Sequence, residues 1–428
     1  MNYNEAMNYI KNTAKFGSKY GLERTEKILE LLGNPHKKLK CIHIAGTNGK
    51  GSTTAMITEI LKEAGYKVGM YISPYLEEFE ERIQINGENI AKNDLSFSVT
   101  AVSKAVDEVV SLGYEHPTEF EIITCTMFYY FYLHKVDYAV VEVGLGGRLD
   151  STNVITPILS IITSISYDHM NILGDTLSKI AYEKAGIIKY SVPLVLSPQE
   201  EESLKVIRNI CIEKNAKLVE VSKDSAKLKE VSDYMQHLII NTEKDSYDIY
   251  LSLLGKHQIQ NCATVIYAAE ELALQGLQIR KEHIINGLKK VKWPGRLEMM
   301  SRKPLVVIDG AHNIDGIKKL AESIDTYFNY EKLILILGIL ADKQIKEMID
   351  IIAPKAFKII AVTPHSDRGE LAEELAYAIS LVNPSVEVIE DYEAAYNTAK
   401  TYCTENDLLL ISGSLYMIGD MRKIIRNK

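Results

Sequence analysis

Short, strongly apolar runs alternate along this chain with longer segments whose apolar positions recur at helical spacing. Cys41–Ile44, Lys67–Ile72, Tyr138–Val143, Ile158–Ile165 and Pro193–Leu196 predict buried strands. Helices are expected at Tyr3–Thr13, Glu23–Leu32, Thr53–Leu61, Asp94–Leu112, Glu119–Leu133, Leu177–Gly186, Gln258–Leu274 and Lys281–Val291. Strand and helix take turns throughout, so the fold class is α/β with a mainly parallel sheet. Arg82–Gly87 alternates like an edge hairpin, and residues 220 to about 253 turn lysine-rich and weakly alternating, as in a small antiparallel appendage. Trp293-Pro294-Gly295-Arg296 breaks the pattern and marks a junction. Beyond it, Leu305–Ile308, Leu333–Leu337, Lys358–Val362, Val386–Ile389 and Leu408–Ile411 predict a five-stranded Rossmann-like unit. The expected domains are therefore 1–295 and 296–428. The second lacks a GxGxxG fingerprint, so dinucleotide binding is not supported.

Several strand ends carry polar residues. Ala45-Gly46-Thr47-Asn48-Gly49-Lys50-Gly51-Ser52 joins the first strand to a helix. Glycines let backbone approach an anion, helix-start N–H groups point at it, and Lys50 adds charge. The usual Walker spacing is four residues between glycine and Gly-Lys; here Thr47 and Asn48 alone intervene, so this is a variant phosphate loop. Ser73 ends the second strand, beside the loop if the two strands are neighbours. Glu142 interrupts an apolar run, where an unpaired carboxylate is costly. Asp168-His169 follows a further strand. A hard cation takes carboxylate and hydroxyl oxygens, which Ser73 and Glu142 offer; His169 alone reads more readily as structural. Lys184 reads as a surface lysine paired with Glu183. In the second unit Asp309 ends a strand and could simply cap the next helix, while Arg296 could reach phosphates across a cleft. The aromatic run Phe128–Tyr132 reads as helix core.

Composition narrows the classes. With 46% hydrophobic and 25% charged residues, the chain has the make-up of an ordinary folded protein. A net charge of -8 offers no basic excess for nucleic acid. Five dispersed cysteines without a CxxC pair suggest reduced thiols. No apolar run is long enough for a membrane, and the start lacks signal-peptide features. A cytoplasmic, monomeric enzyme is the expectation, with small-molecule substrates and neither nucleic acid nor membrane as partner.

Taken in order, the motifs resemble one family: the folylpolyglutamate synthases and dihydrofolate synthases of the Mur ligase superfamily. The resemblance runs nearly end to end, through Gly21-Leu22-Glu23-Arg24, the Gly46–Ser52 loop, Ser73-Pro74, Glu81-Arg82-Ile83, Glu142–Asp150, Asp168-His169, Glu183–Ile187, Trp293–Arg296, Asp309–Asn313 and Ser412-Gly413-Ser414. It implies a Mur-ligase-like N-terminal P-loop ATPase domain that also binds folate, followed by a glutamate-ligase domain. It implies that ATP activates a folate carboxylate as an acyl phosphate, which L-glutamate then attacks, with dihydropteroate as a possible second acceptor.

Carried over by position, Gly49, Lys50, Gly51 and Ser52 would hold phosphates, and Asn261, Arg296 and Asp309 would contact ATP, Asn261 at the adenine. Ser73, Glu142 and His169 would bind Mg²⁺, two ions in all. Lys184 would be a carbamate facing the second ion, reversing the surface reading. His312 and Ser412 would serve the glutamate side, with Lys50, Lys184 and His312 as the catalytic set. Phe120 and Asp150 would lie near the pterin. Tyr75 and Glu80 depart from residues frequent in the family. The competing readings are a Mur-type ligase for a muropeptide and a non-catalytic ATP-binding module.

Overall fold

The computed structural model describes residues 1–17 and 21–427. Strands Cys41–Ala45, Val68–Tyr71, Tyr138–Glu142, Leu159–Ile162, Leu194–Leu196 and Leu218–Glu220 run parallel, with Ile83–Ile85 and Glu88–Asn89 added antiparallel at one edge. The period-2 rule sorts each strand's side chains between two faces. Tyr138 and Val140 enter a core built with Met56, Ile60, Cys262 and Val265; Ala139 and Val141 enter another with Val99, Phe128 and Phe131. Burial on both faces is why these strands read as continuous apolar runs, and the aromatic run does supply core.

The strand order holds a correction. Val68–Tyr71 does not neighbour Cys41–Ala45; Tyr138–Glu142 lies between them, pairing with both. Ser73 therefore reaches the site over Glu142, one strand further from the phosphate loop than adjacency would give. The predicted strand Ile158–Ile165 is shorter, Leu159–Ile162, because the chain leaves the sheet to pin the loop: Thr47 N–H donates to the Ser164 carbonyl at 2.8 Å.

The appendage is a three-stranded antiparallel sheet, Ala226–Ser232, Met235–Asn241 and Ser246–Leu251. Leu218–Glu220, just before it, belongs instead to the parallel sheet. The second unit has six strands, not five. Glu298–Arg302 pairs antiparallel with Leu305–Asp309, and Leu408–Ser412, Leu333–Leu337, Lys358–Ala361 and Val386–Val388 follow in parallel. The sixth escaped the sequence because Glu298-Met299-Met300-Ser301-Arg302 is an edge segment without a clear apolar alternation.

The two units are bolted together away from the loop. Arg422, on the helix Leu415–Arg426, makes a two-nitrogen pair with Glu298 at 2.8–3.0 Å and a further contact with Glu77. Lys423 Nζ donates to the Glu77 carbonyl at 2.6 Å. Glu77 sits in the turn that follows Ser73-Pro74, and the Glu81 carboxylate braces that turn by accepting the N–H groups of Leu76, Glu77 and Glu78. No helix among the described residues is long and apolar enough to cross a membrane.

Candidate active site

The carboxyl ends of both parallel sheets open onto one cavity of about 670 Å³. Open α/β sheets bind ligands at this edge. It collects Gly49, Lys50, Gly51, Ser52, Ser73, Phe120, Glu142, Asp150, His169 and Lys184 from the first unit, and Arg296, Asp309 and His312 from the second.

The phosphate loop wraps tightly. Gly46 has φ +151°, and a Cβ there would lie 1.8 Å from Thr163 Oγ1. The helix Lys50–Glu63 starts directly after Gly49, so its free N–H groups face the cavity mouth. Lys50 Nζ folds back to the Gly46 and Thr47 carbonyls, each at 3.2 Å. At Gly51 a Cβ would meet Trp293 at 2.4 Å; the chain's single tryptophan is thus packed against the loop from the junction.

Lys184 is not on the surface. It is 3% exposed, and its Nζ donates to the Gly46 carbonyl at 2.8 Å. Glu183, its supposed partner, instead pairs with Arg148 at 2.9 Å. Burial, and then the charge of Lys50, lower the Lys184 amine to about 7. Burial likewise raises the Glu142 carboxyl to about 7, against the pull of Lys50, the Ser73 N–H and Arg296. That N–H is a long donor at 3.4 Å, so Glu142 keeps acceptor capacity for a cation. A carboxylate with spare lone pairs and a hydroxyl one strand away offer oxygens that fit magnesium, beside loop N–H groups that would hold the phosphates it bridges. Among the described residues no group of three His, Cys, Asp or Glu could hold a metal by itself; magnesium characteristically completes its shell with water and nucleotide phosphate oxygens. His169 sits in a left-handed conformation, φ +49°, and burial lowers its imidazole from the ordinary value.

Asp309 does not cap the next helix. Its Oδ2 accepts the Leu297 N–H at 2.8 Å and its Oδ1 the Ala311 N–H at 2.9 Å, while Asn313 is the N-cap of Ile314–Tyr327. Burial raises the Asp309 carboxyl, opposed by the Arg296 charge. His312 Nδ1 lies 2.7 Å from the Gly310 carbonyl. A carbonyl only accepts, so Nδ1 carries the hydrogen and Nε2 the lone pair. Burial holds this ring neutral, with its pKa lowered to about 4.

Two carried-over residues, Asn261 and Ser412, lie off the cavity wall, and a third, Asp150, lines it with its oxygens already engaged. Asn261 is absent from the cavity wall; its Nδ2 donates to Ser52 Oγ at 3.2 Å and Gln258 Oε1 at 3.0 Å, so the side chain braces the phosphate loop. Ser412 is fully buried at a strand end, and Ser414, two residues on, lines the cavity instead. Asp150 lines the wall, but its oxygens accept the N–H groups of Leu145 at 2.8 Å and Thr152 at 3.0 Å. As it stands, it holds the Gly144–Gly147 turn.

Sequence reasoning passed over Lys343 and Arg368, and gave Trp293 and Asn313, which it quoted in motifs, no place in the site; all four are on the wall. Lys343 Nζ meets Asp168 Oδ1 at 3.1 Å, joining the two units. Burial favours the neutral Asp168 carboxyl, but His169, Lys343 and His312 pull it well below the usual carboxylate range. The missing signal was there: Lys343 follows the apolar strand Leu333–Leu337, the placement that singled out Ser73 and Asp168.

A phosphate loop on one parallel sheet, facing basic and carboxylate groups on a second, defines a two-domain ligase. Residues 44–269 match the Mur ligase middle domain, and 295–415 match the Mur ligase glutamate ligase domain. Within that superfamily the chain belongs to the folylpolyglutamate synthase/dihydrofolate synthase family, whose members are ATP-dependent ligases. It is 41% identical to the dihydrofolate synthase/folylpolyglutamate synthase of Bacillus subtilis, covering 99% of each chain. It is 33% identical to the folylpolyglutamate synthase of Lacticaseibacillus casei, again over 99% of each. Among solved structures, Thermotoga maritima folylpolyglutamate synthase matches with TM-score 0.87 and 35% identity over 99% of this chain and 96% of that one. The Mycobacterium tuberculosis enzyme complexed with ADP and AMPPCP matches with TM-score 0.91 and 28% identity over 99% of each.

Proposed function

We propose that this protein joins L-glutamate to the carboxylate of a reduced folate at the expense of ATP, and that dihydropteroate is a second acceptor. The observation that carries this reading is the shared cavity: a phosphate loop from one sheet faces Arg296, Asp309 and His312 from the other. Full-length similarity to a relative named for both synthase activities supports the pairing of acceptors.

In this reading the loop N–H groups, Lys50 and Arg296 cradle the nucleotide phosphates. Ser73, Glu142, His169 and a carbamylated Lys184 hold magnesium, which when bound neutralises phosphate charge. A buried amine lowered to about 7 suits carbamylation, since the neutral form is the one that adds carbon dioxide. The folate carboxylate attacks the γ-phosphorus and ADP leaves, giving an acyl phosphate. The α-amino group of glutamate attacks the acyl carbon, and phosphate departs. In the same reading neutral His312, with its Nε2 lone pair free, takes the proton that the amine sheds. Closure of the two units keeps water from the acyl phosphate. The protein acts as a monomer in the cytoplasm, with domains at 1–295 and 296–428.

The test supplies ATP, magnesium and glutamate with tetrahydrofolate, dihydropteroate or a muropeptide, and reads product masses. Gain of one glutamate on both pterins is the expected result. Gain on neither overturns the reading; phosphate release without any acceptor would mark a simple ATPase.

A further inference from the structure

Asn48, at the tip of the phosphate loop, has its polar groups engaged on both sides. Its carbonyl accepts the hydroxyls of Thr163 at 2.8 Å and Ser164 at 3.3 Å, both beyond the neighbouring strand of the first sheet. Its side chain turns the other way. Nδ2 donates to Asp315 Oδ2 at 2.7 Å, and Oδ1 accepts from Asn313 Nδ2 at 3.4 Å. Asp315 and Asn313 belong to the second unit, at the start of the helix Ile314–Tyr327. Asn313 is itself fixed: its Oδ1 accepts the Gly316 N–H at 2.8 Å, and its Nδ2 also reaches Asp168 Oδ2 at 3.1 Å. The loop with two residues between its glycine and Gly-Lys thus spends one of them as a joint between the two sheets.

We propose that Asp315 is a positioning residue for the phosphate loop, fixing Asn48 so that the loop takes its working shape only when the second unit is docked. The plainer alternative is that Asp315 only supports its own helix, through first-turn placement and its pair with Lys319 at 2.6 Å. The two readings separate because a helix-supporting role has no reason to reach residues 46–52. The inference rests on the ligase reading for its effect on turnover, but its effect on the loop does not depend on that reading.

The experiment compares wild type, Asp315→Ala and Asp315→Asn as full chains. Asparagine keeps an acceptor for Asn48 while removing the charge. In Asp315→Ala, backbone amides of Thr47–Lys50 are expected to exchange with deuterium about tenfold faster. Turnover should fall roughly 10- to 100-fold, as small misplacements of reacting groups do, and affinity for a non-hydrolysable ATP analogue, by calorimetry, should weaken as well, because the same loop holds the phosphates. Asp315→Asn should restore all three readouts. Faster exchange confined to the helix 314–327, unchanged turnover, or unchanged analogue affinity would each overturn the proposal. If wild type makes no ligase product, the ligase reading fails, and the exchange data still decide the joint.

Discussion

The Nζ of Lys184 lies 2.8 Å from the carbonyl oxygen of Gly46, so a helix-borne amine is fastened to the first glycine of the phosphate loop. Burial and the Lys50 charge lower its pKa from 10.5 to about 7. Below pH 7 the amine gains a proton and stops being a nucleophile; above it, the neutral form can add carbon dioxide. Lys184→Ala is expected to be inactive and to recover part of its turnover with added formate or acetate, which would supply the missing anion. Wild-type activity should also fall when the buffer is stripped of carbon dioxide and return with bicarbonate. Full activity of the alanine variant without any additive would leave Lys184 a packing residue.

Lys50→Ala should remove a cation aimed at the loop and its phosphates. Preorganised charge at a transferring group is worth on the order of 10²–10³-fold in rate. A loss of that size is expected in turnover, with the melting temperature nearly unchanged, because Lys50 holds its loop carbonyls at only 3.2 Å. Near-normal product formation would mean that ATP is held elsewhere.

The strand ends were legible because chemistry at the carboxyl edge of a parallel sheet leaves a local mark: a polar residue closing an apolar run, as at Ser73, Glu142 and Asp309. Lys184 was not legible from composition. Its neighbour Glu183 offered a plausible pair, and only three-dimensional packing shows that Glu183 turns to Arg148 while Lys184 turns inward. Resemblance corrected that residue but carried Ser412 too, which the fold buries completely. Contacts across the units, such as Asn48 to Asp315, join residues 267 apart in the chain, and no periodicity encodes them.

Acid should destabilise the fold from a higher pH than its carboxylates alone would require. Burial holds His36 and His312 at about 4, and His43 and His257 at about 3, against an ordinary 6.5. Their folded values are depressed, so as pH drops below 6.5 the unfolded chain takes up protons that the folded one refuses, and stability falls. Glu142 acts in the opposite sense: its value is raised to about 7, so the folded state holds the extra proton between 4.5 and 7. One carboxyl does not offset four histidines. The unfolding temperature of the metal-free protein should therefore drop steadily from pH 6.5 to 4.5. A flat profile over that range would mean the rings are not held neutral.

Gly144→Ala probes the acceptor side of the cavity separately from the nucleotide side. A Cβ at Gly144 would lie 2.5 Å from Phe120 Cζ, so the ring must move. Phe120 begins near the start of the helix Glu119–Leu133 and lines the cavity, and the phosphate loop lies on a different strand's end. Overpacking of this kind costs about 1–3 kcal/mol, which at about 1.4 kcal/mol per decade is on the order of tenfold in binding. If Phe120 forms the pterin wall, the KM for the folate acceptor should rise by about that factor while the KM for ATP hardly changes. The melting temperature reports whether the cost has gone into folding instead. Equal rises in both KM values would show that the turn at Gly144 serves the whole site, and an unchanged folate KM would move the pterin away from Phe120.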